Sequence, residues 1–350
     1  VSYNNLPGGD YVLRVRASNN DGVWNEEGVA IHIKIIPPFW KTTWFYIVCT
    51  ILLVVFIFGF IKFRERKLLT EKKMLAQKVT ERTKELQEKN KDILSSITYA
   101  KRIQEAILPP LNEVKKHFPN SFIYYSPKDI VSGDFYWFGT KNNKCILAAV
   151  DCTGHGVPGA FMSMIGHNLL HQIVVKEDVI IPSEILNKLD KAVVKALKQD
   201  DNFDTKDGMD MSLIVFDKET KELEFAGAYR PLYLFKNKEL IKIEADKYPI
   251  GGGKQIQENK LFTNHKIDIT EGDIIYLFTD GFADQFGGID EQARGLGGKK
   301  IMVKKFQEII KQNIDLDMQN QEGELKTYFN EWKGNLEQVD DILVIGLHIS

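Results

Sequence analysis

Cysteine is scarce in this chain of 350 residues: there are three, Cys49, Cys145 and Cys152, and no two share a CxxC spacing. That excludes a disulfide framework and a cysteine zinc site. An excess of either charge is also missing. The 46 basic and 48 acidic residues leave a net charge of -2, whereas nucleic-acid binders usually carry a strong basic surplus. Wholesale disorder would need high net charge and few apolar residues, and 43% of this chain is hydrophobic. No Walker loop and no GxGxxG–helix unit occurs, and Gly251-Gly252-Gly253, which follows a Pro and not a strand, is a weak phosphate-loop candidate. No signal peptide opens the chain and its first residue is Val1, which reads as a start inside a longer protein. Length alone suggests roughly two units, at about 100–200 residues per domain.

Charge is absent altogether from Thr42 to Ile61. A helix of that length spans about 30 Å, the thickness of a bilayer core. Trp40, Trp44, Phe45 and Tyr46 gather at its entry end as an aromatic belt. Lys62, Arg64, Arg66, Lys67, Lys72 and Lys73 follow it, against Lys34 and Lys41 before it. Positive charge stays on the cytoplasmic side, so the N-terminal side is expected outside and the rest inside: a single pass through the cytoplasmic (inner) membrane. Cys49 lies within the span and reads as a lipid-facing or packing residue.

Ahead of the span, Asp10–Ala17 and Gly28–Ile36 alternate apolar and polar residues around the turn residues Asn19-Asn20-Asp21-Gly22. This predicts a β-hairpin. The runs LPGGDYVLRVRASNNDGVW and PPFWKTTWFY resemble the end of a Y_Y_Y domain, an immunoglobulin-like module of bacterial receptors. That resemblance implies the C-terminal part of an extracytoplasmic sensor domain over residues 1–38, with the transmembrane helix over 39–62.

Beyond the span, residues 63–108 read as one helix that stops at Pro109-Pro110. Val79, Leu86, Ile93, Ala100 and Ile107 recur every seven residues, and Leu68, Leu75 and Ile103 extend the stripe. The heptads predict a parallel coiled coil and a homodimer through helix 62–108. Arg82, Lys89 and Ser96 interrupt the stripe, so a solvated spacer is the alternative. Ile97–Pro110 is more apolar and is expected to pack on the domain that follows.

From residue 109 onward, strand-like runs (Ser121–Ser126, Phe135–Gly139, Cys145–Asp151, Met211–Asp217, Glu222–Ala226, Leu232–Phe235, Ile274–Phe278, Ile342–His348) mix with helix-like ones (Gly159–Val175, Pro182–Leu197, Lys300–Asn313, Gln319–Trp332). Short turns between strands favour antiparallel sheets covered by helices, an α+β class. Aspartates stand at strand ends or turns: Asp134, Asp151, Asp210, Asp280, Asp340 and Asp341. Singly, each suits a turn or a cap. Brought together they would repel unless cations lay between them, and an all-oxygen set favours Mg2+ or Mn2+.

The segments DCTGHGVPGA from Asp151, GDFY from Gly133, TDG from Thr279 and the pair Asp340-Asp341 together resemble the SpoIIE/RsbU branch of the metal-dependent protein phosphatases, the protein phosphatase 2C superfamily. The resemblance covers roughly residues 95–350. It implies an α/β/β/α sandwich over 109–350, with two metals in a cleft at one sheet edge. It implies that Asp151 bridges both metals, that the backbone carbonyl of Cys152 serves the first, and that Asp280 and Asp340 hold the second. Asp134 would orient metal waters, and Asp210 matches a position that helps hold a third, weaker metal in many members. His155 would either protonate the leaving oxygen or organise its loop. The catalytic candidates are therefore Asp134, Asp151 and His155. The implied reaction is hydrolysis of phosphoserine or phosphothreonine on a partner protein, of anti-sigma-antagonist (STAS) type in relatives, by a two-metal-activated water. Arg230 and Lys128 are candidates to meet phosphate, with a surface or structural role the commoner alternative. The Gly-rich stretch Phe282–Lys299 reads as a flap beside the metals. A receptor scaffold with an inactive domain, and a metal-dependent nuclease or cyclase, are the competing classes, and the near-neutral charge speaks against nucleic acid.

Overall fold

The computed structural model describes residues 5–199, 206–252, 260–288 and 298–349. The chain divides into two compact units, 1–89 and 90–350.

In the first unit, β1 (Gly9–Val15) and β2 (Val29–Ile35) pair antiparallel from Gly9↔Ile35 to Val15↔Val29, the expected hairpin. Asn19 Oδ1 accepts the N–H groups of Asp21 and Val23 and so closes the turn residues locally. α1 (Thr43–Ile107) begins in this unit and runs uninterrupted for 65 residues. The sequence gives no reason for a break after Ile61, since no Pro intervenes and the Lys and Arg residues there propagate a helix well. Its apolar segment is uncovered, and by length and composition it could cross a membrane. Val79, Leu86 and Ile93 of the heptad stripe are also exposed.

The second unit takes in the last turns of α1. Then follow α2 (Leu111–His117), β3 (Ser121–Ser126), β4 (Phe135–Lys141), β5 (Lys144–Cys152), α3 (Gly156–His171) and α4 (Pro182–Ala196). Next come β6 (Gly208–Asp217), β7 (Leu223–Ala228), β8 (Leu232–Lys236), β9 (Glu239–Ile243), β10 (Ile250–Gly251), β11 (His265–Ile267) and β12 (Ile274–Phe278). The chain closes with α5 (Gly281–Asp284), β13 (Phe286–Gly287), β14 (Lys299–Lys300), α6 (Met302–Gln312), α7 (Met318–Lys333) and β15 (Ile342–His348). One sheet has the order β11-β7-β6-β5-β4, with β10 added to β6, and the other β3-β15-β12-β8-β9.

Strand alternation builds three cores. In β5, Ile146, Ala148 and Val150 face α3 and α4, where they meet Leu170, Ile185, Leu189 and Val193. Leu147 and Ala149 point the other way, between the sheets, against Ile275, Leu277, Leu343 and Ile345. The outer face of the second sheet, with Tyr276, Phe278, Ile342 and Val344, is covered by Phe306 and Ile309 of α6 and Leu325 and Phe329 of α7. Helix, sheet, sheet, helix is therefore the layer order, as expected. The period of two places alternate residues of one strand in different cores.

Two expectations change in detail. The helix predicted over Gly159–Val175 starts at Gly156, and after His171 it widens into a π turn over Gln172–Lys176. Gly251 is a sheet residue: its N–H donates to Asp190 Oδ1 at 2.7 Å, and it pairs with Gly208, so this part of the triglycine braces α4 against the sheet and is no phosphate loop. Gly253 lies outside the described residues, as does half of the expected flap, 289–297.

Candidate active site

Four strand ends meet at one edge of the sandwich. Asp151 near the end of β5 stands directly opposite Asp210 near the start of β6 in the antiparallel register. Both share the inter-sheet parity of Leu147 and Ile214. From the second sheet, β12 runs out into Thr279 and Asp280 as Asp340 and Asp341 lead into β15. Thr279 N–H donates to Leu343 O, and Leu343 N–H donates to the Thr279 hydroxyl. Gly281 lets this edge close: a Cβ there would lie 1.9 Å from the carbonyl oxygen of Asp341.

Asp151, Cys152, Thr153, Gly154, His155, Asp210, Arg230, Asp280 and Asp340 line a cleft of about 210 Å³. A larger cavity of about 600 Å³ at the other end of β12 and β15 also carries four acidic residues, Glu271, Asp273, Asp315 and Asp317, but Asp273 accepts Thr270 N–H, Asp315 pairs with Lys238 and Asp317 caps α7.

Burial dominates the electrostatics. It pushes Asp151 up to about 8; Arg230 opposes the shift, and Asp280, Asp210 and Asp340 add to it. Burial likewise lifts Asp210 to about 6, again against the pull of Arg230. Asp340 is raised by burial, and the N–H of Asp341 partly offsets this. Asp134 lies just behind this row, 3% exposed. Burial and then Asp151 hold it well above the usual carboxylate range, and its Oδ2 has no hydrogen-bond partner. Mutually repelling, desolvated oxygens with one buried lone acceptor suit hard cations. Among the described residues, no three Asp, Glu, His or Cys side chains already surround a metal-sized centre. Instead, Arg230 is the cation in place. Its Nη2 lies 2.5 Å from Asp151 Oδ2, 2.6 Å from Asp280 Oδ2 and 3.3 Å from Asp210 Oδ2.

The loops around the cleft are tied to one another. Asp341 is buried, and its carboxylate accepts Lys128 N–H and Gly133 N–H, each at 2.7 Å. It thus braces the loop ahead of Asp134 and, unlike Asp340, does not line the cleft. Gly133 has to be glycine, since a Cβ would sit 2.5 Å from Gly154 O. His155 is half exposed; its Nδ1 is 2.8 Å from Asp129 Oδ2, and its Nε2 is 3.2 Å from Lys128 Nζ. Lys128 Nζ can only donate to Nε2, which leaves Nδ1 to donate to Asp129. The Cys152 side chain packs in the helix-side core, and burial pushes its thiol up strongly, so it offers no exposed thiol to oxidants.

The end of α1 reaches this same loop. Gln104 is buried; its Nε2 donates to Ser132 O at 2.6 Å and Ser163 Oγ at 2.8 Å, and its Oε1 accepts Ser132 N–H at 3.1 Å. Leu108 packs against the cores on both sides of the first sheet, and Tyr136 Oη donates to Pro109 O. The expected docking of Ile97–Pro110 thus runs through Gln104, Leu108 and Pro109, while Ile103 stays exposed.

The predicted cleft residues Asp151, Cys152, His155, Asp210, Asp280 and Asp340 come together, with Asp134 one layer behind. The sequence reading missed Asp129, Gln104 and the central place of Arg230. A basic residue in the three-residue link Tyr229-Arg230-Pro231 between two apolar strands was the available signal for the last.

Comparison with known proteins agrees with the fold. Residues 141–350 match the family described as Stage II sporulation protein E (SpoIIE), and residues 1–35 match the Y_Y_Y domain. Phosphoserine phosphatase RsbU of Bacillus subtilis is 26% identical over 197 residues, 55% of this chain and 55% of that protein. Histidine kinase P4 of Formosa agariphila is 24% identical over 115 residues, 32% of this chain and 8% of that one. The chain thus spans about half or less of the length of these curated relatives. Among solved structures, the SiaA-PP2C domain of Pseudomonas aeruginosa superposes with a TM-score of 0.65 at 28% identity, covering 75% of this chain and 98% of that one. The PP2C domain of Bacillus subtilis SpoIIE, with a fragment of its regulatory domain, gives 0.50 at 17% identity over 66% of this chain and 63% of that one. The SpoIIE match takes in well over half of the sequence and every cleft aspartate, and on that ground the chain belongs to the SpoIIE family.

Proposed function

We propose that this chain is a membrane-anchored sensor phosphatase that hydrolyses phosphoserine or phosphothreonine on a partner protein. The observation that carries the reading is the convergence of Asp151, Asp210, Asp280 and Asp340 on one cleft of a SpoIIE-family domain. Asp151, Asp280 and Asp340, with the carbonyl of Cys152, would hold two Mg2+ or Mn2+ ions, and Asp210 would help with a third. Such ions activate water at neutral pH and offset charge on phosphoryl oxygens. Asp134, buried behind Asp151 with its Oδ2 unpartnered, would accept a hydrogen bond from water held in the cleft. Asp341 fixes the loop that carries Asp134. As paired with Asp129 and Lys128, His155 organises the rim of the cleft; it could serve a leaving oxygen only once Lys128 gives up its Nε2.

Four segments follow from the same reading: a Y_Y_Y sensor part (1–38), a membrane helix (39–62), a dimerising coil (63–108) and the phosphatase domain (109–350). The basic flank from Lys62 supports a cytoplasmic phosphatase and an outer sensor. The exposed Val79, Leu86 and Ile93 support a homodimer. Gln104 supports a route for the signal, since movement of α1 would pull on Ser132 and so on the loop that holds Asp134. A phosphoserine protein is the substrate class we favour, since a curated relative is a phosphoserine phosphatase, and the resemblance to the SpoIIE/RsbU branch makes a STAS-type protein the first one to try.

The scaffold reading keeps one observation in its favour, the Arg230 guanidinium filling the carboxylate cluster. The deciding experiment is turnover of a phosphoserine peptide by the detergent-solubilised chain with Mn2+, beside Asp151→Asn. We expect turnover that the substitution abolishes. A chain inert under all metal conditions would leave the scaffold.

A further inference from the structure

Arg230 sits on the link that carries the chain from β7 in the first sheet to β8 in the second. That link is tight: Tyr229 has a φ of 57°, and Arg230 N–H donates back to Ala228 O at 2.7 Å. The backbone thereby aims a long cationic side chain into the cleft end of the inter-sheet space. Once there, a single nitrogen serves carboxylates from three different strand ends. Hard cations take oxygen at about 2.0–2.6 Å, the range in which Nη2 already meets Asp151 Oδ2 and Asp280 Oδ2. One guanidinium and a hard cation cannot hold the same two oxygens at that distance.

The fit is also incomplete in a way that favours exchange. Arg230 Nε is buried and has no hydrogen-bond partner, and an unmet buried donor is costly. One guanidinium stands against four carboxyl groups, those of Asp151, Asp210, Asp280 and Asp340, whereas two divalent ions would draw on the oxygens of all four.

We propose that Arg230 is a built-in competitor for the cations of this site: its guanidinium holds Asp151, Asp210 and Asp280 together in the cation-free protein and must leave them when cations load. The inference rests on the metal-dependent reading above. Arg230 thereby sets the cation concentration at which the enzyme switches on. Removing a mere structural support would weaken cation binding, whereas removing a competitor tightens it, so the sign of the effect separates the two roles.

The test is direct titration of the full chain in detergent, stripped with chelator, with MnCl2, reading free Mn2+ by its electron paramagnetic resonance signal. Wild type, Arg230→Met, Arg230→Gln and Asp151→Asn are compared. If the open arrangement is about one part in ten of the population, neutralising Arg230 tightens Mn2+ binding about ten-fold. The melting temperature of the cation-free variants falls below that of wild type, and saturating Mn2+ closes the gap. Arg230→Gln keeps a polar side chain in the pocket and decides the matter if Arg230→Met fails to fold. Unchanged or weaker Mn2+ binding in the folded variants overturns the inference, as does an effect confined to KM for a phosphopeptide. Wild type that takes up no more Mn2+ than Asp151→Asn overturns the metal-dependent reading itself, and the inference with it.

Discussion

Replacing Gln104 with Met should loosen the active-site edge from a distance. The substitution keeps the approximate length and volume of the side chain but removes three hydrogen bonds, two to the backbone of Ser132 and one to Ser163 Oγ. At about 1 kcal/mol each the loss is about 3 kcal/mol, and the buried Ser132 amide left unpaired pushes it upward. Ser132 adjoins Gly133, whose N–H is held by Asp341 Oδ2 at 2.7 Å, and Asp134 comes next. The damage should therefore reach the cleft. Urea unfolding of residues 90–350 gives the stability term: with a slope of about 3 kcal/mol per molar for a domain of this size, the midpoint drops by about 1 M. Turnover of a phosphoserine peptide gives the functional term. A control of similar stability cost is Leu189→Ala, which opens the helix-side core at an expense of about 2–5 kcal/mol. Gln104→Met should lose far more turnover than that control. A stability loss under about 0.5 kcal/mol, well below even one average hydrogen bond, would show that the bonds to Ser132 hold nothing. Equal turnover losses in both variants would show that α1 is not coupled to the loop.

Asp341→Ala should cost about 2 kcal/mol or more, because it strips the acceptor from the buried Gly133 N–H and the part-buried Lys128 N–H; turnover should fall while Arg230 still meets Asp151, and full activity would refute the bracing role. In cation-free protein the melting temperature should fall as pH rises from about 4 to about 8. Asp151 keeps its proton to about 8 when folded but only to 3.8 when unfolded, so the folded state binds more protons throughout that window and loses stability as they leave. Asp151→Asn should flatten the slope, and a wild-type melting temperature that rises over the window would contradict it. Leu86→Asp with Ile93→Asp should turn dimers into monomers in sedimentation runs in detergent, since both side chains lie bare on one face of α1; an unchanged mass would remove the coiled coil.

How much of this was legible beforehand depends on the range of the signal. Ser121–Ser126, Ile274–Phe278 and Ile342–His348 are strands with the expected bounds, because each is an apolar, β-rich run with clear edges. β9, with Lys242 between Ile241 and Ile243, and the three-residue β11 escaped notice: edge strands are short and carry charge, so their pattern is faint. Composition changes at Lys62 and separates the membrane helix from the coil in the sequence, yet hydrogen bonding along a helix is indifferent to that change, and α1 continues through it.

The carboxylates of the cleft could be found in the sequence because each sits where an apolar strand ends, and a strand end is a local feature. Arg230 stands out in the sequence only as a candidate to meet phosphate, because its central place is relational. Among its neighbours along the chain it is a polar residue in a tight link, the commonest place for a charged side chain on a surface. It becomes the counter-charge of Asp151, Asp210 and Asp280 only because the link joins two sheets whose opposite members, β5 with β6 and β12 with β15, bring their ends to the same edge. Strand order, not residue type, turns a surface arginine into the centre of the site. The same holds for Gln104, unremarkable in a helix of Lys, Glu and Gln until the sandwich brings Ser132 and Ser163 to its amide. Acidic ligands are thus announced by the ends of elements, while the groups that compete with their cations, or carry a signal to them, are set by topology and become visible only once the sheets are assembled.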